Sequence, residues 1–350
     1  MLNRTLFLLF AGVLFQQALL SAASAAPLPP ATDGTFSVVV IPDTQRYRSN
    51  ATQAAADGTE EVTNAVFAAH VQWITENLDT QRIAFVSHVG DIVDKNIDAQ
   101  WAVAQRHMNA LHGKVPYGIV VGNHDMTGAG DSSLFQKYFP EKQFVDFPWY
   151  GGAFAGDETR PGHSGNNANS YQLIAAEGMD LIFLHLECNA PDNVVAWANA
   201  LLTAHANRKA IISTHMDLGP LDKPKESKGY IEDPKGRMRW NKCHGERGNT
   251  PEQLWEKLYS KHANLLMVCS GDQSRTSALY LPRKGAHGNV VHGLLSDYTS
   301  SGPLRIYRFT PANNTIEVIT YDTTKGELID ESSYVKGREN HQFVIEVALP

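Results

Sequence analysis

The run Phe36-Ser-Val-Val-Val-Ile41 is the first of several short apolar stretches, and what alternates with them sets the fold class. A helix is expected from about Glu61 to Asn77, with Val62, Ala65, Val66, Ala69, Trp73 and Ile74 on one stripe. Arg82–Val89 reads as the next strand, Trp101–Leu111 as a helix and Tyr117–Val121 as a strand. Such β-α-β-α-β alternation is the pattern of a largely parallel sheet with crossover helices. Strands recur at Ser170–Ile174, Asp180–Glu187, Lys209–Ser213 and Asn264–Cys269. Helices are expected over Val194–Ala206 and Pro251–Lys261, the second opening on proline. Leu304–Thr310 and Thr315–Tyr321 flank Pro-Ala-Asn-Asn, a hairpin signal, and Phe343–Leu349 reads as a last strand. Two polar segments, 140–170 and 219–250, read as irregular loops that wall a cleft, with Trp149, Tyr150, Tyr230 and Trp240 at its mouth. Neither repeat nor linker follows residue 34, so one domain over 34–350 is the simplest division.

With 43 % apolar and 19 % charged residues, wholesale disorder is excluded. A net charge of −7 without a Lys/Arg block argues against long nucleic acids and anionic membranes as partners. Arg4, the apolar run 5–20 and the small residues 21–26 read as a secretory signal peptide, residues 1–25, cleaved after Ala25. No later apolar run reaches the length of a membrane span. The mature chain is therefore expected to be secreted or periplasmic. Cys188, Cys243 and Cys269 leave room for at most one disulfide, which the sequence does not pair, and Cys188 and Cys269 read as buried small residues. The 14 histidines beside 37 acidic residues invite a metal site without locating one.

Location comes from the strand ends. Five apolar runs lead directly into polar residues: Asp43-Thr44-Gln45, Gly90-Asp91-Ile92-Val93-Asp94, Gly122-Asn123-His124-Asp125, Thr214-His215, and Gly271-Asp272-Gln273-Ser274. In an α/β sheet, ligands bind at the carboxyl ends of strands. Any one of these turns alone is weak; five in series point to a site.

The series resembles the calcineurin-like metallophosphoesterase superfamily, whose pattern is D-x-H, G-D-x-x-D, G-N-H-[DE], a later H, then G-H-x-H. The middle three elements stand intact here, the first is the P-D-T-Q variant, and the fifth reads G-D-Q-S. The resemblance implies an α/β fold of two packed mixed β-sheets flanked by helices. It also implies two divalent cations, one held by Asp43, Gln45 and Asp91, the other by Asp91, Asn123 and His215, with Asp91 bridging. His124 would face the substrate, and Asp125 would orient it by accepting its other ring N–H. Two cations about 3.5–4 Å apart clamp an in-line phosphoryl displacement and make hydroxide available near neutral pH.

Where the family's fifth element carries two imidazoles, this chain offers Asp272 and Ser274. Asp272 can replace the first; serine is a poor ligand, which leaves the first cation three protein groups plus water. Alternatively, that site is weak, or His287 or His292 folds back to complete it. A donor set so rich in oxygen is expected to favour Mn²⁺, then Mg²⁺ or Ca²⁺, over zinc, with iron a further alternative. His88 reads as a residue supporting the ligands, and Arg275 as a candidate contact to substrate phosphate. The implied activity is an exported metal-dependent phosphoesterase working through metal-bound hydroxide on a small substrate such as a nucleotide or sugar phosphate. The alternative is an envelope protein that binds metal or glycan on the same scaffold.

Overall fold

Strand β1 (Phe36–Ile41) is buried at every position. Phe36, Val38 and Val40 face one apolar layer, while Val39 and Ile41 face another. Burial on both faces is why the run reads as continuous apolar sequence rather than as an alternation. The computed structural model describes residues 28–48, 61–219, 241–273, 278–298 and 300–349. The leader at 1–25 and Tyr230, Trp240, Ser274 and Arg275 lie outside the described residues.

β1 pairs in parallel with β2 (Ile83–His88), and β2 with β3 (Tyr117–Ile119). On its other edge β1 meets β11 (Pro303–Thr310) antiparallel; β12 (Thr315–Asp322) follows, carrying β13 (Glu327–Leu328) and β14 (Gln342–Glu346). The second sheet runs β4 (Tyr150–Ala153), β5 (Ser170–Ala176), β6 (Met179–His185), β7 (Lys209–Ser213), β8 (Leu265–Ser270), β10 (Val290–Ser296), β9 (Ala278–Lys284). Its four central strands are parallel and its edges antiparallel. The architecture is therefore α/β with two mixed sheets, as the motifs implied. Strands after residue 273 complete both.

The sheets meet through Phe36, Val38, Phe85, Phe183, Ile211 and Met267. Phe85 and Phe183 stack across the interface with ring centroids 3.8 Å apart and planes 12° apart. Burying each such ring contributes about 1.5–3 kcal/mol. Helices α1 (Ala65–Glu76) and α2 (Asp98–Met108) cover the outer face of the first sheet through Phe67, Val71, Ile74, Trp101 and Met108. Helix α3 (Ser133–Tyr138) adds Phe135 there. Helix α4 (Asp192–Ala204) and the helix Pro251–Lys257 cover the second sheet through Val194, Ala198, Leu202 and Leu254. None of the helices among the described residues is long and apolar enough to cross a membrane.

Several sequence expectations change. α1 begins later, behind an Asn64 cap that accepts Phe67 N–H at 3.0 Å. Its buried stripe is Phe67, His70, Val71 and Ile74, one residue out of phase with the stripe expected. Segment 140–170 is only partly irregular, for it contains β4 and an aromatic cluster. There Phe147 stacks on Trp149 with centroids 5.0 Å apart, and Tyr150 stacks on Phe144 with centroids 5.6 Å apart. Trp149 and Tyr150 thus pin the segment to the core. The β9–β10 hairpin has no clear sequence signal, since Pro282 interrupts its first strand; β9 is an edge strand, where proline is tolerated. All three cysteines are buried and free.

A polar thread crosses the inter-sheet layer. Ser87 Oγ lies 2.7 Å from Ser213 Oγ and 2.9 Å from His185 Nε2, and His185 Nδ1 lies 2.8 Å from Gln172 Oε1. The glutamine oxygen can only accept, so Nδ1 carries the proton and Nε2 accepts from Ser87. Burial lowers the His185 pKa to about 3. The unfolded chain protonates this imidazole near pH 6.5 and the folded chain does not, so stability is full above pH 6.5 and lost as pH falls toward 3. His185→Gln is expected to flatten the acid side of the Tm-versus-pH curve by one proton's slope, about 1.4 kcal/mol per pH unit. Parallel curves for the two proteins would contradict this.

Candidate metal centre

The β1, β2, β7 and β8 strand ends converge. Asp43 follows β1, Asp91 follows β2, His215 follows β7 and Asp272 follows β8. One oxygen each from Asp43 and Asp91 and one nitrogen of His215 lie within 4.8 Å of one another, all buried. His215 Nδ1 sits 2.8 Å from the Val89 carbonyl and must donate to it. That leaves Nε2 to face Asp91 Oδ1 at 3.2 Å and Asp272 Oδ1 at 3.6 Å. Burial alone would depress this imidazole; Asp91 and Asp43 outweigh it and hold it well above its ordinary value. Burial, then Asp297, push the Asp43 carboxyl well above its usual range; Asp91 and Asp272 add to the shift and His215 opposes it.

Asp91 takes a left-handed conformation, φ 50°. A non-glycine residue costs of order 1–3 kcal/mol there, and such strain clusters where a side chain must be aimed. Its Oδ1 accepts His124 N–H at 2.8 Å and its Oδ2 accepts Gln45 Nε2 at 2.9 Å. With that amide nitrogen engaged, the Gln45 carbonyl oxygen is what the side chain can offer a cation. Asn123 reaches Asp272. Turned with its nitrogen toward Asp272 Oδ1 at 2.7 Å, it donates there while its oxygen accepts His124 N–H at 3.2 Å. Turned the other way, two oxygens face each other, an arrangement that a cation between them makes favourable.

The donor set fits divalent cations. Asp43 Oδ1 is buried without a hydrogen-bond partner, and His215 Nε2 meets only carboxylate oxygens. Such groups are costly unless something else satisfies them. Gly271 matters here, because a Cβ at that position would collide with Asp43 Oδ1.

One expected role is revised. Asp125 does not touch the His124 ring. Its oxygens accept N–H groups from Ile92 at 2.9 Å, Val93 at 3.0 Å and Gly122 at 2.8 Å, so it ties the Gly90–Asp94 turn to the Gly122–Asp125 turn. Burial and the Asp91 charge push its carboxyl up to about 7, against those donors. The Asp94 carbonyl holds His124 instead, at 2.7 Å from Nδ1. Sequence shows Asp94 as a motif position, but a main-chain acceptor carries no residue signature.

His287 and His292 do not fold back. His287 Nε2 contacts the Lys261 carbonyl at 3.0 Å, and His292 Nδ1 contacts Tyr280 Oη at 2.9 Å. His88 lies under the first turn: it accepts Gly90 N–H on Nδ1 at 3.2 Å and meets Thr44 Oγ1 at 3.0 Å. Burial lowers its pKa to about 3, so it is a neutral support. Asp297, buried beside Asp43, escapes the motif reading although Gly-Leu-Leu-Ser-Asp297 also carries an apolar strand into an aspartate. An open cleft of about 1000 Å³ borders the centre, lined by Gln45, Arg46, Asp94, Tyr298, Ser300 and Lys325 rather than by segment 140–170.

Residues 36–273 match the family model of calcineurin-like phosphoesterases. The chain is 30 % identical over 307 residues to the Bacillus subtilis (strain 168) protein YvnB, described as uncharacterized, covering 84 % of this chain and 20 % of that protein. Among solved structures, a 5'-nucleotidase precursor from Thermus thermophilus aligns at TM-score 0.44 and 13 % identity, over 84 % of this chain and 53 % of that one. An NAD nucleotidase from Haemophilus influenzae aligns at TM-score 0.42 and 14 % identity, over 84 % and 48 %. The chain thus spans about a fifth of its curated relative and about half of these structures.

Proposed function

The chain belongs to the calcineurin-like phosphoesterase family, and from that premise we propose that it is an exported, metal-dependent hydrolase of small phosphate esters. The observation that carries this reading is the buried Asp43–Asp91–His215 cluster, whose Asp91 also accepts the His124 N–H. Asp43, Gln45 and Asp91 would hold one divalent cation, and Asp91, Asn123, His215 and Asp272 a second. When bound, the pair supplies Lewis acidity toward the phosphoryl oxygens and a nucleophile at neutral pH.

The protein's own groups do the rest. The Asp94 carbonyl fixes the His124 ring, so Nε2 is the edge that delivers a proton to the leaving alkoxide. Val89 fixes His215 through Nδ1, which keeps Nε2 aimed at the carboxylates. Asp125 locks the two turns that carry Asp91 and His124. Arg46 in the bordering cleft suits an anionic substrate such as a nucleotide or sugar phosphate, whereas Lys325 is already paired with Asp322 and Glu327. Export rests on the signal-like residues 1–25.

Of the proposed ligands, all but His215 coordinate through oxygen-bearing side chains, which favours hard cations. After chelation, hydrolysis of aryl phosphate mono- and diesters is expected to return with Mn²⁺ more fully than with Zn²⁺. Better recovery with zinc would overturn the metal preference. Tight Mn²⁺ binding with no turnover of either ester class would replace the hydrolase reading by a binding one.

A further inference from the structure

The family's fifth motif normally brings two imidazoles to the cluster, and this chain's G-D-Q-S brings none. The topology supplies another carboxylate. β10 lies parallel to β8, with Leu295 opposite Ser270. Asp297 directly follows β10 and Asp272 follows β8 by two residues, so both leave neighbouring parallel strands at the same carboxyl end of the sheet. Asp297 is 2 % exposed. The turn that follows it is tied to the first motif, since Gln45 N–H donates to Ser300 Oγ at 2.8 Å. Asp43, 2 % exposed, carries an Oδ1 without a hydrogen-bond partner.

We propose that Asp297, from the β10–β11 turn, supplies a carboxylate to the cation held by Asp43 and Gln45, the position that the altered fifth motif leaves short of a ligand. Asp297 and Asp43 are both buried at this end of the two sheets, and Ser300, three residues after Asp297, holds the Gln45 main chain. Four carboxylates, Asp43, Asp91, Asp272 and Asp297, then share one buried cluster with a single imidazole. Such a set repels itself unless cations fill it. The assignment rests on the two-cation reading above.

The test is calorimetric titration of the chelated full-length chain with Mn²⁺, comparing wild type with Asp297→Asn and Asp297→Ala. Wild type is expected to bind two ions. Both variants should keep one affinity and weaken the other by at least about 10-fold, the lower end for groups that support a metal. Mn²⁺ should raise the Tm of the variants less than that of wild type. Two ions bound with wild-type affinities would overturn the assignment. Equal weakening of both sites with a lower metal-free Tm would also overturn it, marking Asp297 as a structural residue. A wild-type chain that binds no Mn²⁺ would instead overturn the reading of the whole centre.

Discussion

Gly122→Ala is expected to cost the protein both stability and nearly all turnover. Gly122 opens the turn that carries Asn123 and His124, and its α-carbon faces the turn that carries Asp91. A Cβ there would collide with Asp91 N and Oδ1. The opposing atoms are main chain and a carboxylate already bonded to His124 N–H, so neither can swing aside. Gly90 stands on the other side of the contact, its own Cβ position 2.9 Å from Gly122 Cα and 2.9 Å from His215 Nδ1. The added methyl must therefore push the two turns apart. Overpacking of this kind costs about 1–3 kcal/mol. Displacing a reacting group by about 1 Å costs about 100-fold in rate, and here Asp91, Asn123 and His124 move together. Thermal melts should show a lower Tm, and turnover at saturating Mn²⁺ should fall by at least about 100-fold. Activity within a few-fold of wild type would mean that the turns do not need this close approach.

The strands of the two sheets are legible in sequence because most are buried on both faces, which leaves unmistakable apolar runs such as Phe36–Ile41 and Leu265–Ser270. The turns after them are legible because ligand chemistry confines those positions to a few residue types. What escapes depends on distant partners. The α1 stripe reads one residue out of phase because His70 looks polar. It is buried with Nδ1 2.9 Å from Thr323 Oγ1, a neighbour 253 positions away. Trp149 and Tyr150 look like cleft residues until Phe144 and Phe147 claim them. The histidine count misleads for a related reason. His70, His88 and His185 are buried, with pKa values lowered by burial to about 4, 3 and 3. They serve as neutral hydrogen-bonding pieces of the interior, while carboxylates and amides form most of the centre. Asp297 escapes notice because its strand follows a proline-bearing edge strand that local pattern does not mark.

His124→Ala is expected to separate substrates by their leaving groups. Nδ1 is fixed by the Asp94 carbonyl at 2.7 Å and the backbone N–H by Asp91 Oδ1 at 2.8 Å, so the ring has one free edge, Nε2. His124 is half-buried, unlike the wholly buried His215, as a group that meets both the centre and a substrate must be. A proton delivered from Nε2 matters in proportion to the basicity of the departing oxygen. An alkyl phosphate leaves as a strongly basic alkoxide and needs that proton in the transition state, whereas a nitrophenyl phosphate leaves as a weak base and does not. General acid catalysis contributes about 10²–10⁴-fold. His124→Ala should therefore lose about that factor in kcat on alkyl esters and only a small part of it on nitrophenyl esters. Its Mn²⁺ affinity should hold, because the proposed cation ligands do not include His124. An equal loss on both ester classes would assign His124 to substrate or metal binding instead of proton transfer. An unchanged kcat on alkyl esters would remove it from the reaction and shift the search for a proton donor to the cleft beside Gln45 and Asp94.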